Sequence, residues 1–147
     1  MAVYQLGNVY YKKISLTSAE VKALVASPKE LVATPGSGFI VKYHSADLKL
    51  NYGGTNVFTE AGDNFQIGYN DGAVQVSNTI ETTGFIDQAA DQWITSTANY
   101  DITDTSANLE NKNLALKNIG GGGGEIAGNA GADNTLDVHL WYSIVEA

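Results

Sequence analysis

Phe65-Gln66-Ile67-Gly68-Tyr69-Asn70-Asp71-Gly72-Ala73-Val74-Gln75-Val76-Ser77-Asn78-Thr79-Ile80 is the stretch that decides the fold. Phe65, Ile67 and Tyr69 alternate with Gln66, Gly68 and Asn70, and Val74, Val76 and Ile80 alternate with Gln75, Ser77 and Thr79. A period of two is the signature of a strand with one buried face. Asn70-Asp71-Gly72-Ala73 has the chemistry of a two-residue type I′ turn, which needs positive φ at both central residues. With Asp71-Gly72 as the turn, Asn70 pairs with Ala73, Tyr69 with Val74 and Ile67 with Val76. All the apolar side chains then share a face, and a slip by one residue would destroy that agreement.

The same period recurs at the end of the chain. Leu136, Val138, Leu140, Tyr142 and Ile144 face one way; Asp137, His139, Trp141, Ser143 and Val145 face the other. Gly38 to Tyr52 is a further strand whose phase changes: Phe39, Val41 and Tyr43 are odd, but Ala46, Leu48, Leu50 and Tyr52 are even. One extra residue near His44–Ser45 reconciles them, which predicts a β-bulge or a sheet-switching bend. Weaker strands are expected at Lys29–Thr34, Asn99–Thr103 and Asn111–Asn118, the last with Leu114 and Leu116 inward.

Two short helices are expected. Thr17-Ser18-Ala19-Glu20 is a capping box, with Val21, Leu24 and Val25 as one apolar face before Pro28. Phe85–Ile94 repeats apolar pairs every four residues. The fold class is therefore all-β, a β-sandwich or jelly-roll-like single domain with one or two short helices. Residues 1–15 are expected to form an N-terminal arm, and 16–147 the sandwich.

Composition narrows the function. At 147 residues the chain suits one domain, and 44% hydrophobic content is enough for a core. No stretch approaches the roughly 18 apolar residues of a membrane span, and the opening MAVYQLGNVYYKK lacks the features of a signal peptide, so no membrane partner is expected. With no cysteine, disulfides, thiolate nucleophiles and Cys-based zinc sites are excluded. All eight positive side chains are lysines, against sixteen acids, for a net charge of −8. Residues 1–50 hold six Lys and three acids, while 51–147 hold two Lys and thirteen acids. Nucleic acid is therefore not an expected partner, since its recognition depends on Lys and Arg neutralising phosphates.

Little in the sequence carries catalytic chemistry. His44 and His139 read as solvated or hydrogen-bonded histidines, because Asp137-x-His139 with a distant His44 is a poor zinc set. Pro35-Gly36-Ser37-Gly38 reads as a turn and no G-x-S-x-G elbow exists. Asp101-x-x-Asp104 and Asp133-Asn134 lack the spacing of calcium loops, and the acids sit mainly in turn-forming segments. The five glycines Gly120–Gly124 end in Glu125, not in the Lys-Ser/Thr of a phosphate loop, and read as a flexible loop tip. No enzyme activity and no cofactor are expected. What remains is aromatic placement: Tyr4, Tyr10 and Tyr11 before the capped helix, and Trp141 opposite the Leu/Val row of the last strand. Such rings are candidate interface anchors, with cover inside the monomer as the equal alternative.

Several segments resemble a group of small tailed-bacteriophage proteins. Leu16-Thr17-Ser18-Ala19-Glu20-Val21-Lys22-Ala23-Leu24 followed by Pro28-Lys29-Glu30-Leu31-Val32-Ala33-Thr34-Pro35-Gly36-Ser37-Gly38 is similar to the group's opening, a short L-x-x-x-E-[IV]-K-x-L helix, then P-x-x-L-V-x-x-P-G-x-G, then a long strand. The likeness continues through Tyr52-Gly53-Gly54-Thr55, Thr83-Gly84-Phe85-Ile86-Asp87-Gln88 and Asn111-Lys112-Asn113-Leu114-Ala115-Leu116. It closes on Asn134-Thr135-Leu136-Asp137-Val138-His139-Leu140-Trp141-Tyr142, similar to a final G-T-L-x-V-x-V-x-Y strand. It departs at Asn134, where the group often has Gly, and in the Gly120–Gly124 loop.

The resemblance implies a virion structural protein, most simply a capsid decoration (cement) protein made in the bacterial cytoplasm and carried on the capsid surface. Its implied partners are the major capsid protein lattice and further copies of itself, as a trimer suited to three-fold positions. The alternative is a carbohydrate- or receptor-binding sandwich module of a phage tail or fibre, which exposed Trp and Tyr over a sheet would favour.

Overall fold

The structure is a computed structural model that describes residues 7–99, 102–120 and 124–147. Its strands are β1 (Tyr10–Leu16), β2 (Lys29–Val32), β3 (Phe39–Asn51), β4 (Phe58–Thr59), β5 (Asn64–Gly68), β6 (Val74–Gln75), β7 (Ile80–Glu81), β8 (Gln92–Thr97), β9 (Leu114–Asn118), β10 (Ala127–Gly128) and β11 (Thr135–Glu146). One sheet has the order β1-β11-β3-β8. The second runs β2-β9-β5-β6, with β7 also on β5, and β10 pairs with β4 as a small ribbon. All pairings are antiparallel, and the inward side chains of both main sheets form one core. The domain is an all-β sandwich with short helical turns.

The hairpin holds the register that its pattern demands. Gly68 pairs with Gln75 and Tyr69 with Val74, and the Ala73 amide donates to the Asn70 carbonyl at 3.2 Å. Asp71 and Gly72 have φ of 56° and 80°, and Asn70 joins them in the left-handed region at 53°. Beyond Val76 the strands part. Ser77 accepts the Ile67 amide on its hydroxyl, and pairing resumes at Phe65–Ile80. Phe65, Ile67, Val76 and Ile80 are all buried.

The phase change in β3 is a bulge at His44. Trp141 pairs with Ser45, but Tyr142 pairs with Tyr43, so His44 is the extra residue. Val41 and Tyr43 on one side of it, and Ala46, Leu48 and Leu50 on the other, all reach the core. The capping box also forms. Thr17 Oγ1 accepts the Glu20 amide at 3.3 Å, and Glu20 Oε2 accepts the Thr17 amide at 2.9 Å. The helix spans only Ser18–Val21, so Val21 and Leu24 are buried while Val25, expected inward, is exposed.

Two expected elements differ. Phe85–Ile94 is not a helix. Phe85 and Ile86 sit in a turn, their amides both donating to the Thr82 carbonyl, and the chain then extends as β8 against β3. Its Ile94, Thr95 and Thr97 are β-branched, and pairing with an open edge of a long strand outweighs a short helical stripe. The Asn99–Thr103 strand is likewise replaced by β8, which ends at Thr97; Ala98 makes a single bridge to Ser77, and residues 100–101 lie outside the described ones. The first sheet also takes in part of the expected arm. Residues 10–15 pair along the full register from Tyr10–Tyr142 to Ser15–Asp137, making β1 an edge strand of the domain itself.

Candidate binding face

Because side chains alternate across a strand, the core-facing rows of the first sheet leave a second set pointing outward. Three cross-strand rows run over all four strands: Tyr11–Trp141–Ser45–Thr97, Lys13–His139–Asp47–Thr95 and Ser15–Asp137–Lys49–Trp93. The register therefore brings Tyr11 to Trp141, with ring centroids 5.3 Å apart and planes tilted by 45°. His139 lies between two further rings. Tyr11 stacks on it at 6.0 Å and 19°, and Trp93 at 5.2 Å and 25°. The Tyr11 hydroxyl is 2.7 Å from His139 Nδ1. Trp93 is 58% exposed and Tyr11 55%, so the band is open to solvent.

Polar groups floor the face. Asp137 is nearly buried and accepts hydrogen bonds from Ser15 Oγ at 2.6 Å and Asn51 Nδ2 at 3.0 Å, with the Lys13 ammonium at 3.1 Å. Burial alone would push its carboxyl up; the hydrogen bonds and the Lys13 charge outweigh that and hold it below the usual carboxylate range. Asp47 accepts from Thr95 Oγ1 at 2.8 Å. Asp91, at the margin, accepts the Tyr52 amide and pairs with Lys49 at 3.3 Å; both hold its carboxyl below its ordinary value.

Of the four expected anchors, the structure joins Tyr11 and Trp141. Tyr10 points to the opposite face, where its ring meets Tyr142 at 5.5 Å. Tyr4 lies outside the described residues. Trp93 was hidden by the helical reading of its segment, and His139 by the absence of any sequence sign that two rings flank it. The signal for Trp93 was the alternation in Trp93-Ile94-Thr95-Ser96-Thr97, which puts the indole and two threonines on one side.

The other polar clusters are structural in geometry. His44 Nε2 lies 2.7 Å from Ser143 Oγ across the bulge, and no carboxylate bonds that imidazole among the described residues. Asp133 accepts from Thr55 and from Asn129, which together with buried Asn134 ties the 53–56 and 129–134 loops to each other. Asp104 accepts the Thr105 amide and the Asn108 amide group, and Asp101 lies outside the described residues. Among the described residues no three His, Asp or Glu side chains come together in a metal-binding arrangement. Glu125, after the glycine run, accepts the amides of Val25 and Ala26 at 2.8 Å each, which anchors that loop to the end of the helical turn.

No protein-family model matches the chain, and no curated protein matches it significantly. Among solved structures it is similar to a cyclase from Fischerella sp. TAU, at 14% identity and a TM-score of 0.42 over 82% of this chain. The chain spans 56% of that cyclase's length. It is also similar to a chain of the acidic stable capsid structure of Helicobacter pylori bacteriophage KHP30, at 12% identity and a TM-score of 0.38, covering 97% of this chain and 95% of that one. A third is a chain of the semi-empty virus-like particle of the Macrobrachium rosenbergii nodavirus, at 9% identity and a TM-score of 0.32, covering 99% and 98%. At these identities and TM-scores none of the three carries a function to this chain.

Proposed function

We propose that this chain is a virion structural protein, a capsid decoration (cement) protein that binds the major capsid lattice after assembly and reinforces it. One observation carries the reading. The segments that resemble small tailed-phage proteins fall, in order, on elements of the kind the resemblance implies: the capped turn at Ser18–Val21, the 13-residue β3 and the closing β11. The mechanism is binding linkage. A protein that binds only the assembled shell lowers the free energy of that state by its binding energy at each site. The role is structural and needs no catalytic step.

A trimer at three-fold positions is part of the proposal. It repeats one modest contact three times on the same lattice, so that avidity compensates for weak individual contacts. Homo-oligomers close by point symmetry, and a three-fold site selects a three-fold unit. Reconstruction of the intact particle is the test: density for the sandwich on the outer capsid surface at three-fold positions is the expected result. Density confined to the tail, or none on the particle, overturns the capsid reading; light scattering showing a dilution-independent monomer overturns the preformed trimer.

A further inference from the structure

We propose that the outer face of the β1-β11-β3-β8 sheet is a carbohydrate-binding face, taking a pyranose oligosaccharide laid across the strands over Tyr11, His139 and Trp93. The inference is independent of where on a particle the chain sits. It starts from the composition of the three outward rows, which hold four rings and no aliphatic side chain. The positions between the rings are Ser45, Thr97, Asp47 and Thr95, with Lys13 and Lys49 each paired to a carboxylate. Pyranose rings present a C–H face that packs on aromatic faces and an equatorial rim of hydroxyls that bond to carboxylates and hydroxyls. This face supplies both kinds of partner side by side.

Two other occupants fit less well. The buried centres of protein interfaces are depleted in Lys, Asp and Ser, yet those residues fill the spaces between the rings here. Nucleic-acid bases also stack on aromatic side chains, but in grooves whose cations track the backbone. Here Lys13 is bound to Asp137 at 3.1 Å and Lys49 to Asp91 at 3.3 Å, so no lysine of the three rows is left without a carboxylate, and Lys42, which pairs with Ser143, lies beyond them. The extent of the face also suits a chain of sugars. Four strands spaced about 4.8 Å apart give a width of about 14 Å, longer than a single ring. The near-parallel planes of Tyr11, His139 and Trp93 make one continuous band over that width. The face is built before any ligand arrives, because the Tyr11 hydroxyl is tied to His139 and the Asp47 carboxylate to Thr95. Preorganisation of this kind lowers the ordering cost of binding.

The chain provides its own reporter, since its two tryptophans, Trp93 and Trp141, are both on this face. Titration of the full chain with cellohexaose, chitohexaose, maltohexaose and mannan, read by tryptophan emission, is the test. At least one of these neutral pyranose chains is expected to change the emission saturably, with a Kd of about 0.1–1 mM. Trp93→Ala and Tyr11→Ala are each expected to weaken that binding about tenfold, whereas Val25→Ala, at a distant exposed position, leaves it unchanged. Circular dichroism checks that each variant is folded, and the two variants sit on different strands so that one failure to fold does not remove the test. No emission change with any of the four, or binding that survives the loss of both rings, overturns the proposal.

Discussion

Gly72 lies so close to Lys117 of β9 that a Cβ built on the glycine would stand 2.7 Å from the Lys117 Cβ. The contact is possible because Gly72 closes the hairpin at φ 80° and lies against the neighbouring strand instead of pointing into solvent. Replacing it with valine adds two costs, a β-branched side chain at positive φ and a collision with β9. Gly72→Val is expected to destabilise the domain by about 2–4 kcal/mol, seen as a lowered midpoint in urea unfolding. An unchanged midpoint would mean that the turn does not pack on β9 as described.

The bulge at His44 makes a second expectation. Deleting His44 removes the extra residue between Tyr43 and Ser45, and one half of β3 must then turn its faces over. Either Val41 and Tyr43 or Ala46, Leu48 and Leu50 would leave the core. Exposing two or three such side chains costs about 1.5–3 kcal/mol each, comparable with the whole stability of a small domain. The deletion is expected to abolish the cooperative unfolding transition, while His44→Gly, which keeps the residue count but loses the Ser143 hydrogen bond and adds glycine's backbone entropy cost, folds with a modest drop in Tm.

Asp137 makes stability depend on acid. Its carboxyl is held below the ordinary value in the folded chain, as are those of Glu20, through Lys29 and the Thr17 amide, and Asp133, through Thr55 and Asn129. A depressed folded pKa contributes stability above the unfolded value of about 3.9–4.3. That contribution is lost as pH falls through the folded value, because the unfolded chain takes up protons first. Tm is expected to be level near neutrality and to fall from about pH 5 downward. Asp137→Asn should lower Tm at pH 7 and make the acid slope shallower; an acid slope identical to that of the unaltered chain would show that Asp137 is not held as described.

Much of the architecture could be read locally. The alternation around Asn70-Asp71-Gly72-Ala73 specified both turn and register, and the change of phase between Tyr43 and Ala46 placed an irregularity near His44–Ser45, which the pairing resolves as a bulge at His44. The capping box Thr17–Glu20 is a contact across three residues, so it too was visible in the chain. Ile94 misled because apolar pairs every four residues suit a helix when no partner is in view. The open edge of β3 was available to that segment only in the folded molecule.

The binding face divides in the same way. That Trp141 lies off the core row follows from period-two alternation in its own strand. The sequence groups Tyr11 with Tyr10 in an arm, and only the pairing of β1 with β11 puts those two rings on opposite faces. That Tyr11 and Trp141 touch, and that His139 is enclosed by Tyr11 and Trp93, depends on β1 pairing with β11 and on β8 lying two strands away on β3. Alternation assigns a side chain to a face but does not say which strands share that face. The sequence by itself determined the central hairpin, the long β3 with its bulge, the closing β11 and the in-or-out orientation of their side chains, since these arise from backbone sterics and burial over a few residues. Only the tertiary structure decided the neighbours, because pairing between segments distant in the chain, such as Tyr11 with Trp141 and Lys49 with Trp93, is selected by the packing of the whole core.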